Sequence, residues 1–162
     1  RDQGVIEAYA IGGAVGATFF IEPVATVDVD VFIACQSPPG KTIIDPQPIF
    51  QHLSSQGYRM EGEHVLIGGW PVQLLAPSGP LVEEAVLQAA TVDVEGVPAR
   101  VFTAEHLAAI ALQTGRPKDR ARLLQFVEEG ALDAARFQDV LLRHGLTEAW
   151  NAFEIRFLEG GQ

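Results

Sequence analysis

The chain has two textures. Up to about residue 102 its apolar runs are short and broken by glycine, and beyond that they recur at the three- and four-residue spacing of helices. Ala8–Ile11 is a short apolar run that ends at Gly12–Gly13, which predicts a strand breaking into a turn. Ala14–Ile21 is apolar and rich in small residues, and reads as a buried helix. Val27–Ala34 opens in strict alternation (V-D-V-D-V), so it reads as a strand with Asp28 and Asp30 on one face. Ser37-Pro-Pro-Gly40 predicts a loop. Asp45–Pro46 then supplies an N-cap and a first-turn proline for a helix running to about Ser55.

Tyr58–Met60, His64–Ile67 and Pro71–Leu75 read as three short strands separated by Gly62 and Gly68–Gly69. Leu81–Ala90 looks helical, and Thr91–Val94 with Pro98–Phe102 reads as a hairpin closed at Glu95–Gly96. Four helices follow, from Thr103 to about Gln113, Pro117 to about Glu129, Asp133–Arg143 and Thr147–Leu158, with Gly130 and Gly145 as stops. The expectation is an α+β protein. Residues 1–102 form a mixed β-sheet core with helices, and 103–162 form a helical segment packed on it.

Composition narrows the class. At 162 residues the chain is the size of one domain, and its single cysteine, Cys35, excludes a disulfide framework or a thiolate metal cluster. No apolar run reaches the ~18 residues of a membrane span, and no signal-peptide pattern is present, so a cytoplasmic protein without a membrane partner is expected. The net charge of -10 is lopsided. Residues 1–99 hold three basic side chains against twelve acidic ones, whereas eight face nine from Arg100 onward. Such a protein matches bulk DNA or an anionic membrane poorly. A phosphate ligand would need a metal or a local basic patch.

Both have candidates. Asp28 and Asp30, about 6–7 Å apart along one strand face, would repel each other when buried, and a hard divalent cation offsets that repulsion. On an exposed strand face the same tripeptide would simply be solvated. Gly12–Gly13 lets the backbone approach a phosphate closely, and a helix following it would offer free N–H groups. Arg116, Lys118, Arg120 and Arg122 crowd the start of a helix whose dipole disfavours them, so they want anionic partners. Triphosphate oxygens or carboxylates of the first 99 residues would serve equally. Lys118 and Arg122 share a helix face and are the preferred phosphate contacts. The four histidines lack metal-ligand spacing and read as structural. No P-loop or nucleophile-elbow motif occurs.

The runs Tyr9-Ala-Ile-Gly-Gly-Ala14 and Ala25-Thr-Val-Asp-Val-Asp-Val-Phe32 resemble the signature of the nucleotidyltransferase superfamily. Thr103-Ala-Glu-His-Leu and Thr114-Gly-Arg-Pro-Lys-Asp119 resemble its abortive-infection toxin-like, minimal branch. The resemblance implies Mg²⁺- or Mn²⁺-assisted transfer of a nucleotidyl group from a nucleoside triphosphate to an acceptor, which is RNA, protein or a small molecule. Asp28 and Asp30 would be catalytic and metal-binding, and Gly12, Gly13, Lys118 and Arg122 nucleotide-binding. Three departures suggest weakened catalysis: Gln73 stands where the family carries a third carboxylate, Val24 or Ala25 where it often has arginine, and Ala111 where lysine is common. Asp93 or Glu95 would replace the missing acid if their hairpin reached the site. The alternative is a catalytically inactive module of the same fold that binds a partner protein, as in a toxin–antitoxin pair, or a second copy of itself.

Overall fold

The computed structural model describes residues 6–34 and 47–159. Cys35, the Ser37–Gly40 loop and the Asp45–Pro46 helix start lie outside the described residues. In chain order the elements are β1 (Ala8–Ile11), α1 (Gly13–Ala17), β2 (Val29–Ala34), α2 (Gln47–Ser55), β3 (Arg59–Glu61), β4 (His64–Ile67) and β5 (Trp70–Leu75). They continue with α3 (Pro80–Leu87), β6 (Ala90–Val94), β7 (Val97–Val101), α4 (Ala104–Thr114), α5 (Pro117–Glu128), α6 (Ala134–Arg143) and α7 (Thr147–Phe153), which runs on as a π-helical segment over Glu154–Glu159. Among the described residues no helix is long and apolar enough to cross a membrane.

The seven strands form one mixed sheet in the order β3-β4-β5-β2-β1-β7-β6. β2 runs parallel to β5 and β1 runs parallel to β7, while the other neighbours are antiparallel. The architecture is the expected α+β one. Three local expectations change. The first helix spans five residues rather than Ala14–Ile21, because the chain turns at Thr18–Phe20, where the Thr18 hydroxyl donates back to the Val15 carbonyl at 2.7 Å. β2 starts at Val29, so Asp28 sits in the bend just before the strand. The last helix is regular only to Phe153.

The helical half follows its local signals closely. Thr103 caps α4 through its hydroxyl, which accepts from the His106 N–H, and Gly115 ends α4 in the left-handed region at φ 64°. Pro117 opens α5, and Asp133 caps α6 by accepting from the Arg136 N–H at 3.0 Å. Leu123, Phe126 and Leu141 are fully buried against Phe102, Ala108 and the sheet residue Ala10 in one core cluster. Each large side chain there contributes about 1.5–3 kcal/mol. That cluster runs across residue 102 without a break, so α4–α7 share the core of the sheet. Trp150 closes its far end, edge-on to Phe137 at 5.0 Å and stacked on Phe153 at 5.6 Å.

A polar knot ties α3 to α4 and α6. The Glu84 carboxylate accepts from Arg143 at 2.6 Å and meets the Nε2 atoms of His106 at 3.1 Å and His144 at 3.0 Å. Arg143 also pairs with Asp139 on its own helix. The hydrogen bond from Arg143 holds Glu84 far below the usual carboxylate range, at about 2, with His106 and His144 adding to it. Burial pushes His106 below its ordinary 6.5, against the pull of Glu84. His106 and His144 are thus structural, as expected.

Both shifts predict acid lability. His106 takes a proton more readily unfolded than folded, so stability falls as pH drops below about 6.5; Glu84 adds a second loss between about 4.5 and about 2. Thermal melts from pH 8 to pH 3 should show a plateau and then a two-stage decline. Glu84→Ala should lower stability at pH 7 by about 1–3 kcal/mol, through unpaired donors, and remove the lower stage. A Glu84→Ala profile that parallels wild type from pH 7 to pH 3 would exclude the knot as a stabilising element.

Candidate functional site

The site is built on β2. Its central position fixes Asp30 opposite Gln73 of β5, and His64 of β4 lies opposite Gln73 in turn. Directly paired residues share a sheet face, so Asp30, Gln73 and His64 form one row across three strands. The turn after β1 is fastened to the same row, because the Gly12 N–H donates to the Asp30 carbonyl at 3.0 Å. Gly13 follows at φ 58°, and the space a Cβ would occupy there is already filled by the Asp30 carboxylate. Glycine is required at this position both for its backbone angle and for this contact.

Asp28 joins the row from the bend. The Thr26 hydroxyl lies 3.3 Å from its carboxylate, and His64 Nε2 lies 3.7 Å from its other oxygen. Asp30 is half-buried and has no hydrogen-bond donor among the described residues. Burial raises its pKa above the ordinary 3.8, the Asp28 charge raises it further, and Lys118, Arg122 and Arg116 pull it back down. The carboxylate pair is therefore placed at an electrostatic cost, opposed by cations from a distant part of the chain.

Those cations come from α5. A cleft of about 310 Å³ runs between the sheet row and the α4–α5 corner, lined by Gly13, Asp28, Asp30 and Gln73 on one side and by Arg116, Lys118, Asp119 and Arg122 on the other. Asp119 is buried and accepts from Arg116 at 2.6 and 3.3 Å, with Arg122 Nη1 at 4.0 Å from its Oδ1. The Arg122 Nε is buried without a hydrogen-bond partner. The inner wall is apolar: Phe32, Leu75, Phe102, Leu107, Ile110 and Ala111.

Of the residues singled out from the sequence, the cleft brings together Asp28, Asp30, Gly13, Lys118 and Arg122. Gly12 does not line it. Its Cα faces Phe32 and Phe102, whose rings lie where a Cβ would go, so its part is to let those rings pack. Arg120 turns away and donates to the Gly115 carbonyl at 2.8 Å. With only five residues, α1 carries little helix dipole toward the cleft. Asp93 cannot supply the missing acid, because it accepts from the Gly96 N–H and closes its own turn on the edge hairpin, three strands from β2. Ala111, at the position expected for lysine, is 4% exposed on the apolar wall, and Val24 is exposed. Arg116 and Asp119 went unnoticed as a site pair. Their signal was the i−3, i+3 placement of two arginines about one aspartate. The Gly68–Gly69 turn sets the β4–β5 register locally, but no local pattern sets the parallel β2–β5 pairing that brings His64 to Asp28.

No protein-family model matches the chain, and no curated protein is significantly similar to it. Solved structures do match. The crystal structure of an antigenic nucleotidyltransferase-like protein from Paracoccidioides brasiliensis aligns over 93% of this chain and 87% of its own, with a TM-score of 0.52 at 17% identity. The solution structure of the antibiotic-resistance factor ANT(2'')-Ia aligns over 98% and 91%, with a TM-score of 0.48 at 14% identity. The crystal structure of ANT(2'')-Ia with adenylyl-2''-tobramycin aligns over 96% and 91%, with a TM-score of 0.44 at 14% identity. The first of these shows that the chain has a nucleotidyltransferase-like fold.

The strained carboxylate gives a direct test. Because the folded-state pKa of Asp30 is raised, its ionised form opposes folding, and stability declines as pH rises above about 3.8. Asp30→Asn should melt at a higher temperature than wild type at pH 7. The advantage should disappear at pH 3, where the carboxyl is protonated in both states. A variant less stable than wild type at pH 7 would mean that the cations of α5 more than offset the burial of Asp30.

Proposed function

We propose that the cleft binds a nucleoside triphosphate with Mg²⁺ or Mn²⁺ and transfers its nucleotidyl group to an acceptor hydroxyl. The observation that carries this reading is the opposition, across one cleft, of the Asp28–Asp30 pair and the cations Arg116, Lys118 and Arg122. A carboxylate pair facing only its own counter-charges would need no cleft. Separated by a space lined on one side with acids and on the other with bases, it suits a ligand that carries phosphate oxygens to the bases and a metal to the acids.

The donor set fits a hard divalent cation. Among the described residues Asp30 has no hydrogen-bond donor of its own, and Mg²⁺ is commonly held by one or two carboxylates together with substrate phosphates and water. Among the described residues no group of three or more His, Cys, Asp and Glu is placed to hold a metal without such help. Asp28 and Asp30 would hold the ion, which when bound neutralises phosphate charge. The remaining work falls to the chain. Lys118, Arg116 and Arg122 would stabilise negative charge on the departing pyrophosphate. The Phe32–Ile110 wall would exclude water from one side of the nucleotide.

In the transfer, a bond forms from the acceptor oxygen to the α-phosphorus as the bond from that phosphorus to the pyrophosphate oxygen breaks. The acceptor's proton must go elsewhere than Gln73, because a neutral amide does not accept it at neutral pH. Gln73 lies level with Asp30, where it can orient the acceptor by hydrogen bonding. With no third carboxylate at this position, the proton passes to water and transfer would be slow.

The test is joint. Thermal melts with Mg²⁺ or Mn²⁺ and each nucleoside triphosphate should show a stabilisation that neither component gives alone, about 2.7 kcal/mol at a hundredfold excess over Kd. Asp28→Asn should abolish it. Pyrophosphate release should be slow in wild type and faster in Gln73→Asp, which also strengthens the Mn²⁺ response. No joint stabilisation in wild type or in Gln73→Asp would overturn the reading and leave a fold without its transferase chemistry.

A further inference from the structure

Asp119 is placed against its own charge. Its side chain is 3% exposed and sits in the wall of a cleft read as a phosphate site, where a carboxylate repels the ligand. What it does locally is hold guanidinium groups. It lies three residues after Arg116 and three before Arg122, so the first turns of α5 bring both arginines to it. Its two oxygens take Nε and Nη2 of Arg116 at 2.6 and 3.3 Å, a fork-to-fork geometry that fixes the plane of that guanidinium. Arg122 Nη1 stands 4.0 Å from Oδ1, the oxygen that also takes Arg116 Nη2, and so is held more loosely. Arg122 nevertheless lines the cleft with Arg116 and Lys118, so an anion there meets three cationic side chains on one wall.

We propose that Asp119 is a positioning residue that sets Arg116 and Arg122 as the two arms of a clamp for a polyphosphate chain, a role that rests on the reading of the cleft as a nucleoside triphosphate site. Lys118, between them in sequence and on the same cleft wall, adds a point charge where the arginines add direction. A compact polyphosphate fits better than a nucleic-acid backbone: the space is about 310 Å³, and the protein around it carries a net charge of -10.

The geometry and the charge make opposite predictions. If Asp119 acted through charge alone, Asp119→Asn would bind anions more tightly. As the clamp's anchor, its loss should weaken binding of inorganic tripolyphosphate by about tenfold or more, read by calorimetry at fixed Mg²⁺, while phosphate monoanion binding stays weak throughout. Arg116→Lys keeps the charge and loses the fork. Arg116 is 58% exposed, so this variant tests the clamp even if Asp119→Asn does not fold. It should lose several-fold in affinity for tripolyphosphate while still melting cooperatively as a folded protein.

Wild-type affinity in Arg116→Lys, or tighter binding in a folded Asp119→Asn, overturns the clamp and leaves the triphosphate reading standing. Wild type that binds neither tripolyphosphate nor any metal–nucleotide pair overturns both. Displacement of tripolyphosphate by a single-stranded oligonucleotide without 5′ phosphates would also overturn the assignment, and would point to a nucleic-acid backbone instead.

Discussion

The contact between Asp30 and the turn after β1 governs the cleft. The Asp30 carboxylate occupies the space that any side chain at Gly13 would need, while its carbonyl takes the N–H of Gly12. One residue is thereby bonded to the turn through its backbone and pressed against it through its side chain. The glycine pair thus works chiefly by steric permission. Gly13 admits the carboxylate and Gly12 admits the rings of Phe32 and Phe102, which stand 4.9 Å apart and separate the cleft from the core.

Charge is arranged around that contact in layers. The carboxylates are supplied by the acidic first part of the chain and the cations by α5. Each side also has polar company of its own, Thr26 and His64 beside Asp28 and Asp119 beside the arginines. Few groups are left to pair directly across the gap, and the two walls influence each other at a distance. A cleft of this kind can hold a charged ligand without first breaking strong ion pairs, a cost that desolvated pairs would impose.

Local signals made much of this legible. Caps and stops such as Thr103, Gly115, Pro117 and Asp133 act within one helical turn, so the sequence carries their meaning directly, and the Glu95–Gly96 turn is equally local, both residues lying at positive φ. The alternation in β2 was enough to put Asp30 on a face, and the family likeness was enough to suspect Gln73. Their alignment depends on a parallel pairing that no local pattern encodes. The same limit conceals the Glu84 knot, whose four members come from α3, α4 and the end of α6, and the approach of His64 to Asp28. α1 is shorter than its pattern predicts for another reason: small apolar residues suit a helix and a packed turn alike, and the chain turns after Ala17.

The sheet order has a kinetic meaning. β1 is held on one side by β2, its near neighbour in sequence, and on the other by β7, which pairs Ile11 with Val101 across most of the sheet-forming part of the chain. Closing so long a loop is entropically costly, and Phe102 and Thr103 lead directly from β7 into α4, so the strand that completes the sheet also anchors the helical half. A chain growing from its N-terminus carries Asp28 and Asp30 well before the basic helix that moderates them exists.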